Sequence, residues 1–203
     1  MRIDRLSRLL RAAVALAVIP PAASVALPST ASAQPCPDVE VIFARGTSEP
    51  PGIGRVGQAL TDALTPQLGG RSVSTYAVNY PASYDFFTSA DGANDASARI
   101  AAMASQCPNT RIVLGGYSQG AVVSGFVTSD TVPSSVPAAI APSPLAPDVA
   151  EHVAAVVLFG APSGAFLSKY GAPAITIGPL YADKTEELCA PGDGICDGSP
   201  GGA

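Results

Sequence analysis

The feature that most constrains the fold is a repeated alternation along the chain. Four short runs rich in β-branched residues, VEVIFAR (39–45), VSTYAVNY (73–80), RIVLGGY (111–117) and AAVVLFG (154–160), are separated by stretches of helical character. Three of the runs are continuously apolar, the pattern of strands buried on both faces. A weaker fifth strand is expected near EELCA (186–190). Between the first two runs, Val56, Leu60, Ala63, Leu64 and Leu68 recur at helical spacing; between the next two, Ala93, Ala96, Ile100 and Met103 do, with Asp91 or Asn94 as the cap. The order predicts an α/β fold: a central, mainly parallel five-stranded sheet covered by helices on both faces and joined by right-handed crossovers. There is no internal repeat. The segment TVPSSVPAAIAPSPLAPD (131–148) reads as an irregular surface loop, because its prolines disfavour helix and strand alike.

Residues 1–33 read as a leader outside the fold. Arg2, Arg5, Arg8 and Arg11 make a basic start, AAVALAVI (12–19) follows as an apolar run, and Ala31-Ser32-Ala33 is an A-x-A cleavage signal. A signal peptide cut after Ala33 is expected, leaving 34–203 as one exported, extracellular domain. Pro20 and Pro21 interrupt the apolar run well short of the roughly 20 residues a membrane span needs. Removing a leader of net charge +3 takes the formal charge from −5 to −8. An acidic surface without a basic cluster argues against nucleic acid and anionic membranes as partners.

The four cysteines, Cys36, Cys107, Cys189 and Cys196, all follow the leader. An even number in an exported chain favours disulfides over metal ligation. With one histidine in the sequence, a Cys/His zinc site has little to build on, and no metal is expected. Three pairings are open. Joining the nearest partners, Cys189 and Cys196, closes a short loop and leaves Cys36 with Cys107; such bridges contribute about 2.5 and 4 kcal/mol respectively by loop entropy.

The chemistry centres on GGYSQG (115–120), which contains Gly116-x-Ser118-x-Gly120. An apolar strand runs into it and an apolar, small-residue run, AVVSGFV, leaves it. Strand, tight turn, helix is the arrangement in which glycines relieve crowding around a strained serine and lift its Oγ from the carboxyl edge of the sheet. The helix start adds free N–H groups that can hold an oxyanion. The competing reading is a Gly-rich turn with an ordinary serine. ARGTSE (44–49) follows the first strand, so Thr47 is placed at the same sheet edge, where ligands bind in open α/β sheets. Its N–H is a candidate second oxyanion donor beside that of Gln119, although turn or capping chemistry also accounts for Thr47 and Ser48. CAPGDGIC (189–196) holds Asp193, a carboxylate suited to orienting an imidazole, in what is equally a common Asp-Gly turn.

Together these residues resemble the cutinase family, small secreted serine esterases of the α/β-hydrolase class. The resemblance rests on FARGTSE, NYPAS (79–83), CPNTRIVLGGYSQGA (107–121), VVLFGAP (156–162) and CAPGDGIC, in the family's order and over nearly the whole chain after the leader. It is closest to the mycobacterial-type branch. It implies Ser118 as nucleophile, Asp193 as triad acid, Thr47 and Gln119 as oxyanion donors, disulfides Cys36–Cys107 and Cys189–Cys196, no cofactor, and a lipid-like or polyester-like ester as substrate.

One triad member is missing from this pattern. The family's histidine lies beyond the Asp loop and precedes a final helix, whereas here seven residues, DGSPGGA (197–203), follow Cys196. The one histidine, His152, precedes the run VAAVVLF (153–159), which places it at the opposite edge of a parallel sheet, about 20 Å from Ser118. Proton transfer needs about 3 Å. The sequence therefore supports two expectations: a secreted ester hydrolase by ancestry, or a C-terminally truncated, catalytically impaired relative with at most a binding role. Without the final helix, one sheet face is expected to lack apolar cover.

Overall fold

Strands form where the apolar runs predict them. In the computed structural model these are β1 (Val39–Ala44), β2 (Val73–Ala77), β3 (Arg111–Tyr117), β4 (Val153–Phe159) and β5 (Thr185–Leu188). They make one sheet in the order β2-β1-β3-β4-β5, with every neighbouring pair parallel. The helices are α1 (Gly54–Leu64), α2 (Ser89–Gln106), α3 (Gln119–Thr128), α4 (Pro147–Ala150) and α5 (Gly164–Lys169). Residues 35–131, 136–137 and 139–198 are described, all within the unit Pro35–Ala203. The expected leader, 1–33, lies outside the described residues.

Alternation along each strand divides the side chains between two unequal faces. Ile42, Ala44, Ile112, Leu114, Val156 and Leu158 join the main core, with Ala93, Ala96, Ile100 and Met103 of α2 and Val122 and Val123 of α3. Every residue of α3 is buried, as expected of a helix held between the sheet and α2. The other face carries Phe43, Gly115, Tyr117 and Phe159. Here α1 packs on β1 and β3, with Gly57 against the Phe43 ring. Beyond it, Val157 and Phe159 stay half-buried and Leu188 is 48% exposed. Helices thus lie on both faces, as expected, but among the described residues they cover the faces unequally, with β4 and β5 the less covered strands on the α1 side.

Three expectations need correction. The α2 cap is neither Asp91 nor Asn94: the helix starts earlier, at Ser89 with Thr88 before it, so Asp91 lies in its first turn and Asn94 Nδ2 instead donates to the Ile140 carbonyl at 3.0 Å. The small residues Ser89 and Ala90 pack closely enough to be fully buried, which extends the helix past the polar residues that mark caps in sequence. The Pro-rich 131–148 segment is not wholly irregular or superficial. Pro147 and Asp148 open α4, with proline at a first-turn position that needs no N–H, and Val136 is buried in the core with Ile140, Ala141 and Leu145 packed against it. Residues 132–135 and 138 of this segment lie outside the described residues. Finally, β2 ends at Ala77, short of the expected Tyr80; the chain turns off the edge after Val78 donates to the Phe43 carbonyl.

Both disulfides join the partners that the family resemblance implies. Cys36–Cys107 ties the entry to β1 to the end of α2, and Cys189–Cys196 closes the loop after β5. Under the sheet, Glu40 is 2% exposed and accepts two hydrogen bonds from Arg99, at 2.6 and 2.9 Å. Burial of that carboxylate is tolerable because a planar guanidinium, itself stacked on Tyr76, satisfies both oxygens.

Candidate active site

Ser118 occupies the sharp junction between β3 and α3, with φ 53° and ψ −117°. Such a conformation is strained for a residue with a Cβ, and it persists only where the surroundings impose it. They do so through the two flanking glycines. A Cβ on Gly116 would stand 2.0 Å from the Gly120 carbonyl oxygen, and one on Gly120 would stand 2.0 Å from that of Ala44. The Ser118 N–H donates to the Phe159 carbonyl at 2.9 Å, which holds the turn to β4. The half-buried hydroxyl makes no hydrogen bond to another described residue.

The loop after β1 stands beside this turn. Thr47 Oγ1 donates to Gln119 Oε1 at 3.2 Å, and Gln119 Nε2 donates to the Asp85 carbonyl at 3.3 Å, so one fully buried amide links three loops. No hydrogen bond among the described residues consumes the backbone N–H of Thr47 or Gln119. Strain clusters here too. Among the described residues, the non-glycine positions with positive φ are Ser48, Ala82 and Ser118, and the Ser48 N–H donates to the Ala82 carbonyl at 2.7 Å. Each such residue costs on the order of 1 kcal/mol or more. Sequence reasoning missed what holds them. Arg45 is 5% exposed, its donors turned onto nearby carbonyls, and Tyr80 beside it is also buried. Burial pushes the Tyr80 phenol pKa well up, so it remains a donor to the Arg45 carbonyl. The available signal was a charged residue closing the buried run VEVIFAR, since a buried guanidinium must find acceptors.

Asp193 lies on the other side, in the disulfide-closed loop. Its Oδ1 accepts from Ile195 N–H at 3.0 Å, so the side chain does serve the turn that the alternative reading described. Its Oδ2 faces the end of β4: a Cβ on Gly160 would stand 3.7 Å from it and 3.5 Å from the Tyr117 ring. Tyr117, Phe159, Leu188, Val56, Glu187 and Asp193 help to line a cleft of about 540 Å³ on the sparsely covered face. The structure therefore puts Thr47 and Gln119 in contact next to Ser118, and Asp193 beyond Tyr117 and Gly160. His152 belongs to neither group. It precedes β4, and its carbonyl accepts from Ile112 near the start of β3, at the amino edge of the sheet. A third feature was not anticipated: Phe86, Phe166 and Tyr170 pack together with ring centroids 5.0–6.3 Å apart, joining the 83–88 loop to α5.

Comparison with known proteins agrees with this architecture. The family model described as Cutinase matches residues 35–202. Carboxylesterase Culp1 of Mycobacterium tuberculosis is 53% identical over 171 residues, covering 83% of this chain and 72% of that protein. Phospholipase Culp4 of the same organism is 48% identical over 192 residues, covering 95% and 80%. Among solved structures, a Trichoderma reesei cutinase in complex with a phosphonate inhibitor superposes with a TM-score of 0.59 at 35% identity, covering 81% of this chain; the chain spans 66% of that structure. The chain belongs to the cutinase family, in its mycobacterial branch, and has that family's α/β-hydrolase fold.

Proposed function

We propose that this chain is a secreted serine hydrolase of carboxylic esters, acting through an acyl-enzyme on lipid-like or polyester-like substrates. By family it is a carboxylic-ester hydrolase; the serine mechanism, the export and the substrate class are the added steps. The reading is carried by Ser118, strained between two glycines that no larger residue can replace, beside two unspent N–H groups. Ser118 Oγ attacks the ester carbonyl carbon, and the carbonyl π electrons move to oxygen. The N–H groups of Thr47 and Gln119 stabilise that oxyanion. On attack the Ser118 proton passes to water. Collapse expels the alkoxide, which takes a proton back from water, and a second water then adds to the acyl carbon, giving the acid and restoring the Ser118 hydroxyl. Asp193 is the group suited to orient a base. The proton of Ser118 needs an acceptor, and the single imidazole of these 203 residues, His152, stands at the wrong sheet edge. Residues 1–33 serve as the export signal in this reading.

An alkyl fluorophosphonate tests it. Oγ displaces fluoride from phosphorus, and the expected result is a single adduct on Ser118 that Ser118→Ala abolishes. Labelling elsewhere, or none, contradicts the serine mechanism. A second reading, a catalytically impaired relative that binds apolar ligands, is favoured by the position of His152 and by the half-open cleft beside Asp193. It expects hydrolysis of a short-chain nitrophenyl ester several orders of magnitude below that of a complete triad.

A further inference from the structure

We infer that Arg45 is a positioning residue for the oxyanion site, acting with Tyr80 as a reciprocal clasp that fixes the Thr47 N–H; this rests on the serine-hydrolase reading. Each side chain of the pair binds the other residue's main chain. Arg45 Nη2 donates to the Tyr80 carbonyl at 2.8 Å, and the Tyr80 hydroxyl donates to the Arg45 carbonyl. The guanidinium also lies over the Tyr80 ring, 5.2 Å from its centroid.

The remaining donors span the loop that carries Thr47. Arg45 Nε donates to the Glu49 carbonyl at 2.8 Å and Nη1 to that of Val78 at 3.4 Å. Residues 46–49 are thereby bridged at both ends by one side chain. Glu49 completes the frame: its carboxylate accepts from Gly46 N–H at 2.7 Å and from Arg55 N–H, next to the start of α1, at 3.3 Å. Among the described residues, the one carboxylate–cation pair within salt-bridge distance is Glu40–Arg99. The buried Arg45 guanidinium makes its direct contacts with carbonyls and a ring face, and the Glu49 carboxylate stands nearby beyond salt-bridge distance. A charge buried in this way is costly to retain for packing alone. Its donors converge on the loops carrying Ser48 and Ala82, the two strained residues joined by a hydrogen bond beside Thr47. Oxyanion stabilisation depends on donors already aimed before charge develops, and this clasp supplies the aim.

The planar fork matters as much as the charge. A lysine ammonium cannot present separate N–H groups in one plane to the carbonyls of residues 49 and 80. For Arg45→Lys, labelling of Ser118 by the alkyl fluorophosphonate is expected to slow by about tenfold to a hundredfold, the cost of misplacing a reacting geometry by about 1 Å. Amide spectra of the adduct separate positioning from folding. In the native sequence both the Thr47 and Gln119 N–H resonances should move when the phosphonyl oxygen enters the site. In Arg45→Lys, Gln119 should move and Thr47 should not. Tyr80→Phe, which removes one strap and keeps the ring, should give a smaller slowing with the same selective loss, and it decides the matter if the lysine variant does not fold. Equal rates and equal shifts in both residues would overturn the inference while leaving the serine mechanism intact. Absence of any native adduct on Ser118 would overturn both.

Discussion

The two sides of Ser118 are built to different standards. On the Thr47 side, a buried arginine, a buried tyrosine and a fully buried glutamine amide lock the loops through named hydrogen bonds. On the Asp193 side, the carboxylate caps its own turn at the rim of a cleft whose walls are half-exposed. The sheet shows the same asymmetry. One face lies under α2 and α3, while α1 covers the other over β1 and β3 and leaves β4 and β5 sparsely clad. If the proposed serine mechanism holds, the difference teaches that the oxyanion donors are preorganised independently of the elements that would handle the proton. The first task needs short-range backbone geometry, which one loop clasp can hold; the second needs a long-range assembly of carboxylate and imidazole.

The comparison can be broken most forcefully through stability. Leu158 is fully buried on the covered face, and Leu158→Ala should cost about 2–5 kcal/mol in denaturant unfolding. Leu188, 48% exposed at the cleft, should lose less than about 1 kcal/mol on the same truncation. Equal losses would mean that the open face is covered in solution. Catalysis offers the next test. Free imidazole should raise nitrophenyl ester hydrolysis by the native chain about tenfold, increasingly as pH passes neutrality and the ring loses its proton. Asp193→Ala should blunt that gain. In the absence of imidazole, Asp193→Ala should change the residual rate less than about threefold, because no base within the 203 residues stands there to be oriented; a loss of a hundredfold would place a base beside Asp193 after all.

The smallest effect lies at the far edge of the sheet and serves as a control. The Ser72 backbone N–H, then its hydroxyl, hold the Asp38 carboxyl below its ordinary value. A depressed folded-state pKa stabilises above the unfolded value and is lost as pH falls through the folded one. The melting difference between native chain and Asp38→Asn should therefore be present near neutrality and be lost as pH falls through the lowered folded-state value, with no change in Ser118 labelling at either pH.

Much of this was legible in the sequence. Continuous apolar runs such as RIVLGGY specify strands covered on both sides, and glycines at 116 and 120 mark a turn where a Cβ would stand 2.0 Å from a backbone carbonyl oxygen. The family resemblance carried by FARGTSE, GGYSQG and CAPGDGIC pointed to Thr47, Gln119 and Asp193; the structure puts the first two in contact beside Ser118 and Asp193 beyond Tyr117 and Gly160. What escaped was long-range and directional. Nothing near Arg45 in the chain names its partners, because Val78 and Tyr80 arrive from another loop. The burial of Val136 within a proline-rich segment was hidden for the same reason, as local propensity carries no record of a distant contact.

By itself, the sequence determined the order of strands and helices and the glycine-flanked turn that strains Ser118, because periodicity and glycine placement are local properties. Only the tertiary structure decided that Arg45 and Tyr80 clasp the Thr47 loop and that, among the described residues, α1 covers its face over β1 and β3 but sparsely over β4 and β5. Those outcomes depend on which distant backbone groups meet, and that is fixed only when the chain closes on itself.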